Sequence, residues 1–398
     1  MENRNTLTFF TAALLALSFS YLINEKWQPN FSALMNATYF SASAKPIHKK
    51  NTIQVALLLD TSGSMSGLIE QAKSQLWQIL NTLANTEKEN EETKLEIALY
   101  QYGSPTYGKS ARQIRQLSGF TSDMDLISKK LFALSTSGGE EYCGEVITTS
   151  INELGWGKDD SNFKMIYIAG NEPFTQGPIN YAEACQLAKK QDITVNTIFC
   201  GTYQEGVQTM WKQGAQLADG EYMNIDHNQT TVYIETPYDK KINELNQKLN
   251  ETYIPYGAEG NMKKENQAKQ DANAYSYSSS NAADRASFKS SKKYKAESWD
   301  LVDAYEKDKS IFSSNGYFDL STLSDSLQTL SVDELEVKIK VISTNRSNIQ
   351  NEIQELNSKR LIHIENNSKE SAEGNNLKKS IENSVQKQGE KKGYKVKN

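Results

Sequence analysis

The run Ile53-Gln-Val-Ala-Leu-Leu-Leu59 is apolar but for Gln54, and it stops at the polar turn Asp60-Thr-Ser-Gly-Ser-Met-Ser-Gly67. A half-exposed strand alternates polar and apolar residues. A run that is apolar on both faces belongs to a parallel strand covered from both sides, and parallel strands need crossover connections, usually helices. Leu68, Ala72, Leu76, Ile79, Leu80 and Leu83 follow at helical spacing. The pattern then repeats. Strands are predicted over 95–102, 164–169, 194–200 and 221–225, with a short edge strand over 112–117. Helices are predicted over 123–134, 145–154, 181–191 and 210–218. Strands alternating with helices define an α/β fold: a doubly wound, mostly parallel sheet flanked by helices, Rossmann-like in its winding. Such sheets bind ligands at the carboxyl ends of their strands, near the switch in strand order. Three loops fall on that edge: Asp60 to Ser64, Gly138 to Glu141, and Asn171-Glu172.

The first loop carries the sharpest chemical signal. Asp60-Thr-Ser62-Gly-Ser64 is D-x-S-x-S between a strand and a helix. A hard divalent cation takes oxygen ligands. One carboxylate supplies charge, two hydroxyls on alternate residues supply neutral oxygens, and Gly63 lets the chain fold tightly around an ion. The plainer alternative is that these residues cap the following helix.

The stretch IQVALLLDTSGSMSGLIEQAK resembles the opening of a von Willebrand factor A (VWA) domain, and the order of strands and helices extends the resemblance over about residues 50–236. The resemblance implies a metal-ion-dependent adhesion site that holds Mg²⁺ or Mn²⁺ and receives a carboxylate from a macromolecular partner. By it, Asp60, Ser62 and Ser64 are metal ligands. Two departures follow. The family places Thr after a Gly-rich turn, where this chain reads Gly138-Gly139-Glu140-Glu141; Glu140 or Glu141 would stand in, the alternative being a solvated acidic turn. The family places Asp after its fourth main strand, where this chain has Asn171, also an ordinary turn residue before Pro173. The two changes offset: Asp60 with one glutamate restores two carboxylates, and Asn171 gives a neutral oxygen. The stretch IAGNEPFTQG resembles a bacterial branch of the family with this variant pattern.

Elsewhere the composition excludes more than it assigns. Lys and Arg total 44 against 49 Asp and Glu, a balance that argues against a nucleic-acid-binding chain. Three cysteines rule out a disulfide-dense scaffold. G-x-S-x-G does not fit around Ser62, Ser64 or Ser66, and His48, His227 and His363 are not placed as general bases, so no enzymatic activity is expected. Residues 7–23, LTFFTAALLALSFSYLI, carry no charge; residues 1–24 read as a signal peptide or a membrane anchor, which predicts export to a periplasm or cell surface, tethered by 7–23. Residues 25–50 read as a tether and 51–236 as the α/β domain. Residues 237–284 read as a helix and polar linker, and 285–365 as a helical segment, within which Ser331-Val-Asp-Glu334 has capping-box form and opens a helix. Residues 366–398, with eight Lys against four Glu, read as a disordered basic tail. Three functions compete: partner binding through a divalent metal, a metal-independent scaffold with a degenerate site, and an accessory component of an envelope enzyme system.

Overall fold

The computed structural model describes residues 51–67, 69, 79–88, 91, 93–105, 113–225, 234–312, 318–368 and 377–396. The proposed leader or anchor and the tether, together residues 1–50, lie outside them, as does much of the helix expected from Leu68, of which 79–84 is helical.

Strand β1 (Asn51–Asp60) is buried along its length apart from Thr52, as its unbroken apolar run requires. It pairs in parallel with β3 (Thr93–Tyr102) on one side and β5 (Phe163–Gly170) on the other. A short strand β2 (Thr86–Lys88) lies outside this sheet. With the antiparallel edge strand β4 (Ile114–Thr121) and the parallel strands β6 (Thr194–Cys200) and β7 (Tyr222–Ile225), the order is β4-β3-β1-β5-β6-β7. The chain winds outward from β1 in both directions, so the switch point lies at the carboxyl end of β1.

Alternate side chains enter two cores. Ala56, Leu58, Ala98, Tyr100, Ile166 and Ile168 face one layer. That layer is built by α2 (Cys143–Glu153), α3 (Tyr181–Lys190) and, after the short α4 (Tyr203–Gln208), α5 (Trp211–Leu217). Val55, Leu57, Ile97, Leu99 and Tyr167 face the other, shared with α1 (Met124–Phe132) and with helices far down the chain. Those helices are α6 (Asp239–Glu251), α7 (Gly260–Tyr277) and α8 (Ser279–Lys289), followed by α9 (Leu301–Lys307), α10 (Val332–Ser368) and α11 (Leu377–Glu390). Ile242, Leu245, Ala283, Ala286, Ile353, Ile381 and Val385 all belong to this second core.

Two expectations are corrected here. The segment read as a polar linker, up to residue 284, is α7 and the first half of α8. Much of its burial runs through hydrogen bonds, and its buried apolar residues are small alanines, so no strong hydrophobic period announces it. Gln267 donates to the Tyr294 hydroxyl at 2.9 Å, and Gln270 accepts from Ser128 of α1 at 2.9 Å. The basic tail read as disordered forms α11 and strand β8 (Tyr394–Val396), which pairs antiparallel with β2. Only Ile381, Val385 and Tyr394 need to be apolar there; Ser384 and Gln388 bond Asn196 of β6 instead. The capping box at Ser331 forms as expected: the Ser331 amide donates to Glu334 at 2.9 Å, and the Glu334 amide donates back to the Ser331 hydroxyl at 3.3 Å. Cys143, Cys185 and Cys200 are buried, unpaired thiols.

Candidate metal centre at the carboxyl edge of the sheet

Three loops meet where β1 ends. The Thr61 amide and hydroxyl both donate to the Tyr102 carbonyl, at 2.9 and 3.0 Å, tying the first loop to β3. The Ser137 amide donates to the Thr61 carbonyl at 2.9 Å, bringing in the loop before α2. Tyr102 reaches beneath them, its buried hydroxyl donating to the Ala169 carbonyl of β5 at 2.9 Å.

Gly103 fixes how closely these loops approach. Its φ of +77° suits a residue without Cβ. A Cβ there would sit 2.6 Å from Asp60 Oδ1 and 3.1 Å from Glu141 Cγ. Gly103→Ala is therefore expected to destabilise the protein by about 1–2 kcal/mol through left-handed strain, and to weaken cation binding by pushing the two carboxylates apart. Thermal unfolding and calorimetric titration check this; unchanged stability and affinity would refute the packing argument.

Asp60 is fully buried. Its Oδ1 accepts from the Ser62 amide at 2.7 Å, while Oδ2 has no hydrogen-bond partner among the described residues. Burial pushes its carboxyl up to about 7; the Ser62 amide and side chain pull against the rise, and Glu141 and Glu172 add to it. The Ser62 hydroxyl is near, but its geometry does not satisfy Oδ2.

Ser62 precedes a single 3₁₀ turn, Gly63–Met65, and among the described residues makes no side-chain cap bond. Its hydroxyl lies 2.8 Å from that of Ser64, and Ser64 donates to Asn171 Oδ1 at 3.0 Å. Ser64 directs its hydrogen to Asn171, so between the two hydroxyls Ser62 is the donor.

The two glutamates part company. Glu140 is exposed: its amide donates to Gln113 Oε1 at 2.6 Å, and its carboxylate accepts from Gln176 Nε2 at 3.2 Å. Glu141 is 5% exposed and turns inward toward Asp60 and Ser62. Burial raises its carboxyl above the ordinary range; the Ser62 side chain opposes the rise and Glu172 reinforces it. The structure thus gathers Asp60, Ser62, Ser64, Asn171 and Glu141, and leaves Glu140 outside. Glu172 went unread as a site residue, although it stands in one of the three loops. Its charge acts on both inner carboxyls, while its backbone carbonyl accepts from the Trp211 indole at 2.8 Å. Tyr102 was also missed, since nothing in a strand-ending tyrosine marks it as the floor of a crevice. Among the described residues no group of three or more His, Cys, Asp or Glu is placed to hold a metal ion; the donors gathered here are two carboxylates, two hydroxyls and an amide carbonyl, a hard-cation set.

An open α/β sheet with polar oxygens from three loops gathered at its switch point belongs to the doubly wound class, whose ligands bind at that edge. More narrowly, residues 54–248 match the von Willebrand factor type A domain, and that part of the chain is a VWA domain. Its limit passes the expected residue 236 and takes in most of α6. VWA domains typically mediate protein interactions, sometimes through a metal site. Solved structures similar to this chain include BatB from Bacteroides thetaiotaomicron, at 18% identity over 44% of this chain and 90% of that one, with a TM-score of 0.33. The SpRpn10 VWA domain is 16% identical over 45% and 90%, with a TM-score of 0.35. Proximal thread matrix protein 1 from the mussel byssus, with a zinc-occupied MIDAS motif, is 12% identical over 46% and 43%, with a TM-score of 0.33. No curated protein matches the chain.

Proposed function

We propose that the domain binds a macromolecular partner through a divalent cation, Mg²⁺ or Mn²⁺, held by Asp60, Ser62, Ser64, Asn171 and Glu141. One observation carries this reading: the buried Asp60 Oδ2 has no hydrogen-bond partner among the described residues and stands beside the oxygens of Ser62, Ser64, Asn171 and Glu141. A buried carboxylate oxygen left unpaired costs free energy, and a cation removes the deficit for every oxygen at once. When bound, the ion would act as a Lewis acid toward a partner carboxylate; the chain's own groups hold and orient it.

Membrane attachment and export belong to the same proposal. Their support is the uncharged run at 7–23; among the described residues no helix is long and apolar enough to cross a membrane. Capture of partners from an envelope extract by the immobilised protein tests the reading. Retention lost in EDTA and restored by Mn²⁺, in wild type but not in Asp60→Ala, is the expected result. Retention indifferent to EDTA would instead favour a metal-independent scaffold.

A further inference from the structure

We propose that Glu141 is a built-in competitor for the partner: it caps the cation in the resting protein, and an incoming carboxylate must displace it. The inference rests on the cation reading above and deepens it.

The first support is placement. Glu141 is directed inward by the main chain that carries it. The Glu140 amide donates to Gln113 Oε1 at 2.6 Å and the Glu141 amide donates to Gln176 Oε1 at 3.3 Å, so both peptide groups of the turn are pinned by glutamines. Gly139 is packed so tightly that a Cβ would meet the Gly103 carbonyl at 2.4 Å. With the turn held on both sides, one glutamate faces out and the next faces Asp60. Asp60 Oδ1 and Glu141 Cγ lie within 2.6 and 3.1 Å of the same point above Gly103.

The second support is charge. A divalent ion on Asp60 with neutral hydroxyls and the Asn171 amide keeps one net positive charge, and a foreign carboxylate is drawn to it. Adding the Glu141 carboxylate brings the sum to zero, and Glu172 leaves the surroundings negative. An approaching acidic side chain then meets no net attraction from a distance. It gains affinity only by taking the place Glu141 holds, so the ion selects carboxylates arriving with further contacts to offset that exchange.

Mn²⁺ itself is the probe, with acetate as the simplest carboxylate, on the full chain. Water-proton relaxation counts the waters on the ion. Glu141→Ala is expected to add one coordinated water and to let acetate remove water at a concentration on the order of tenfold lower than in wild type, as for a coordination change of about 1.4 kcal/mol. Glu141→Gln keeps an oxygen but no charge, preserves side-chain shape, and is expected to share the acetate sensitivity. Hydration and acetate midpoint equal in wild type and both variants would overturn the cap while leaving the cation site standing, provided Asp60→Ala abolishes Mn²⁺ binding. Absence of Mn²⁺ binding in the wild type overturns both readings.

Discussion

Mn²⁺ titrated into the protein between pH 5 and 8 is expected to bind about tenfold more tightly per pH unit up to roughly pH 7 and then to level off. The cause is Asp60, whose carboxyl burial lifts from 3.8 to about 7, against the opposing pull of Ser62. Below that value a proton occupies the oxygen the ion needs. The sign for stability follows from the same shift. A carboxyl with a raised folded value binds its proton more tightly when folded, so its contribution is complete below about pH 4. It is lost as pH rises through 7. The metal-free protein should therefore lose about 4 kcal/mol relative to Asp60→Asn across that window. Glu141, raised by burial in the same direction, adds a loss that both proteins share. Saturating Mg²⁺ or Mn²⁺ should reverse it, since an ion that binds only the folded state stabilises by mass action. Chemical denaturation of wild type and Asp60→Asn, with and without Mn²⁺, checks both halves. Affinity independent of pH, with the two proteins losing stability in parallel, would show that Asp60 Oδ2 is not where the ion binds.

The parts of this molecule that were legible in the sequence share one physical property: they are governed by apolar burial or by short backbone chemistry. Strand β1 is apolar on both faces because helices cover both sides, and the same logic located β3, β5, β6 and β7 within a few residues. The D-x-S-x-S turn was readable because Asp60, Ser62 and Ser64 converge within a single turn, without help from distant chain. Asn171 was reachable because it follows a recognisable strand. The choice between Glu140 and Glu141 was not, since it depends on Gln113 and Gln176 pinning the turn from two other loops. Charge in the third loop was undervalued for a related reason. Glu172 acts on the inner carboxyls through its charge, and spacing along the chain carries no record of dielectric. The helical stretch up to residue 284 escaped because many of its inward residues are polar, Gln267, Gln270 and Asn281 among them. A polar helix buried by mutual hydrogen bonding has no hydrophobic stripe.

That polar packing makes a second large effect predictable. Arg285→Ala is expected to destabilise the protein by about 3–5 kcal/mol, the usual consequence of stranding a buried charge. Arg285 is 1% exposed and reaches two other helices: Nη2 donates to Asp125 of α1 at 2.7 Å and to the Gln267 carbonyl of α7 at 3.2 Å, and Nε donates to Asp271 of α7 at 2.5 Å. Asp271 also accepts from Lys289 at 2.7 Å and from Asn246 at 3.0 Å. Burial alone would lift the Asp271 carboxyl, but Lys289 and Arg285 override it and hold it well below the usual carboxylate range. Burial pulls the Lys289 ammonium down, and Asp271 opposes that fall. Removing Arg285 leaves Asp125 facing the Tyr294 hydroxyl and Asp271 facing Lys289 with one cation fewer. The comparison that gives the number meaning is Lys189→Ala, which breaks a half-exposed pair with Asp219 at 2.9 Å and should cost less than about 1 kcal/mol. Denaturant unfolding of both variants measures the contrast. If helices α7 and α8 are part of one folding unit with the VWA domain, Arg285→Ala lowers a single cooperative transition and shifts it as a whole. A separate early transition, with the domain's own unfolding unmoved, would mean that these helices dock on an already stable sheet and that the network secures their seating only.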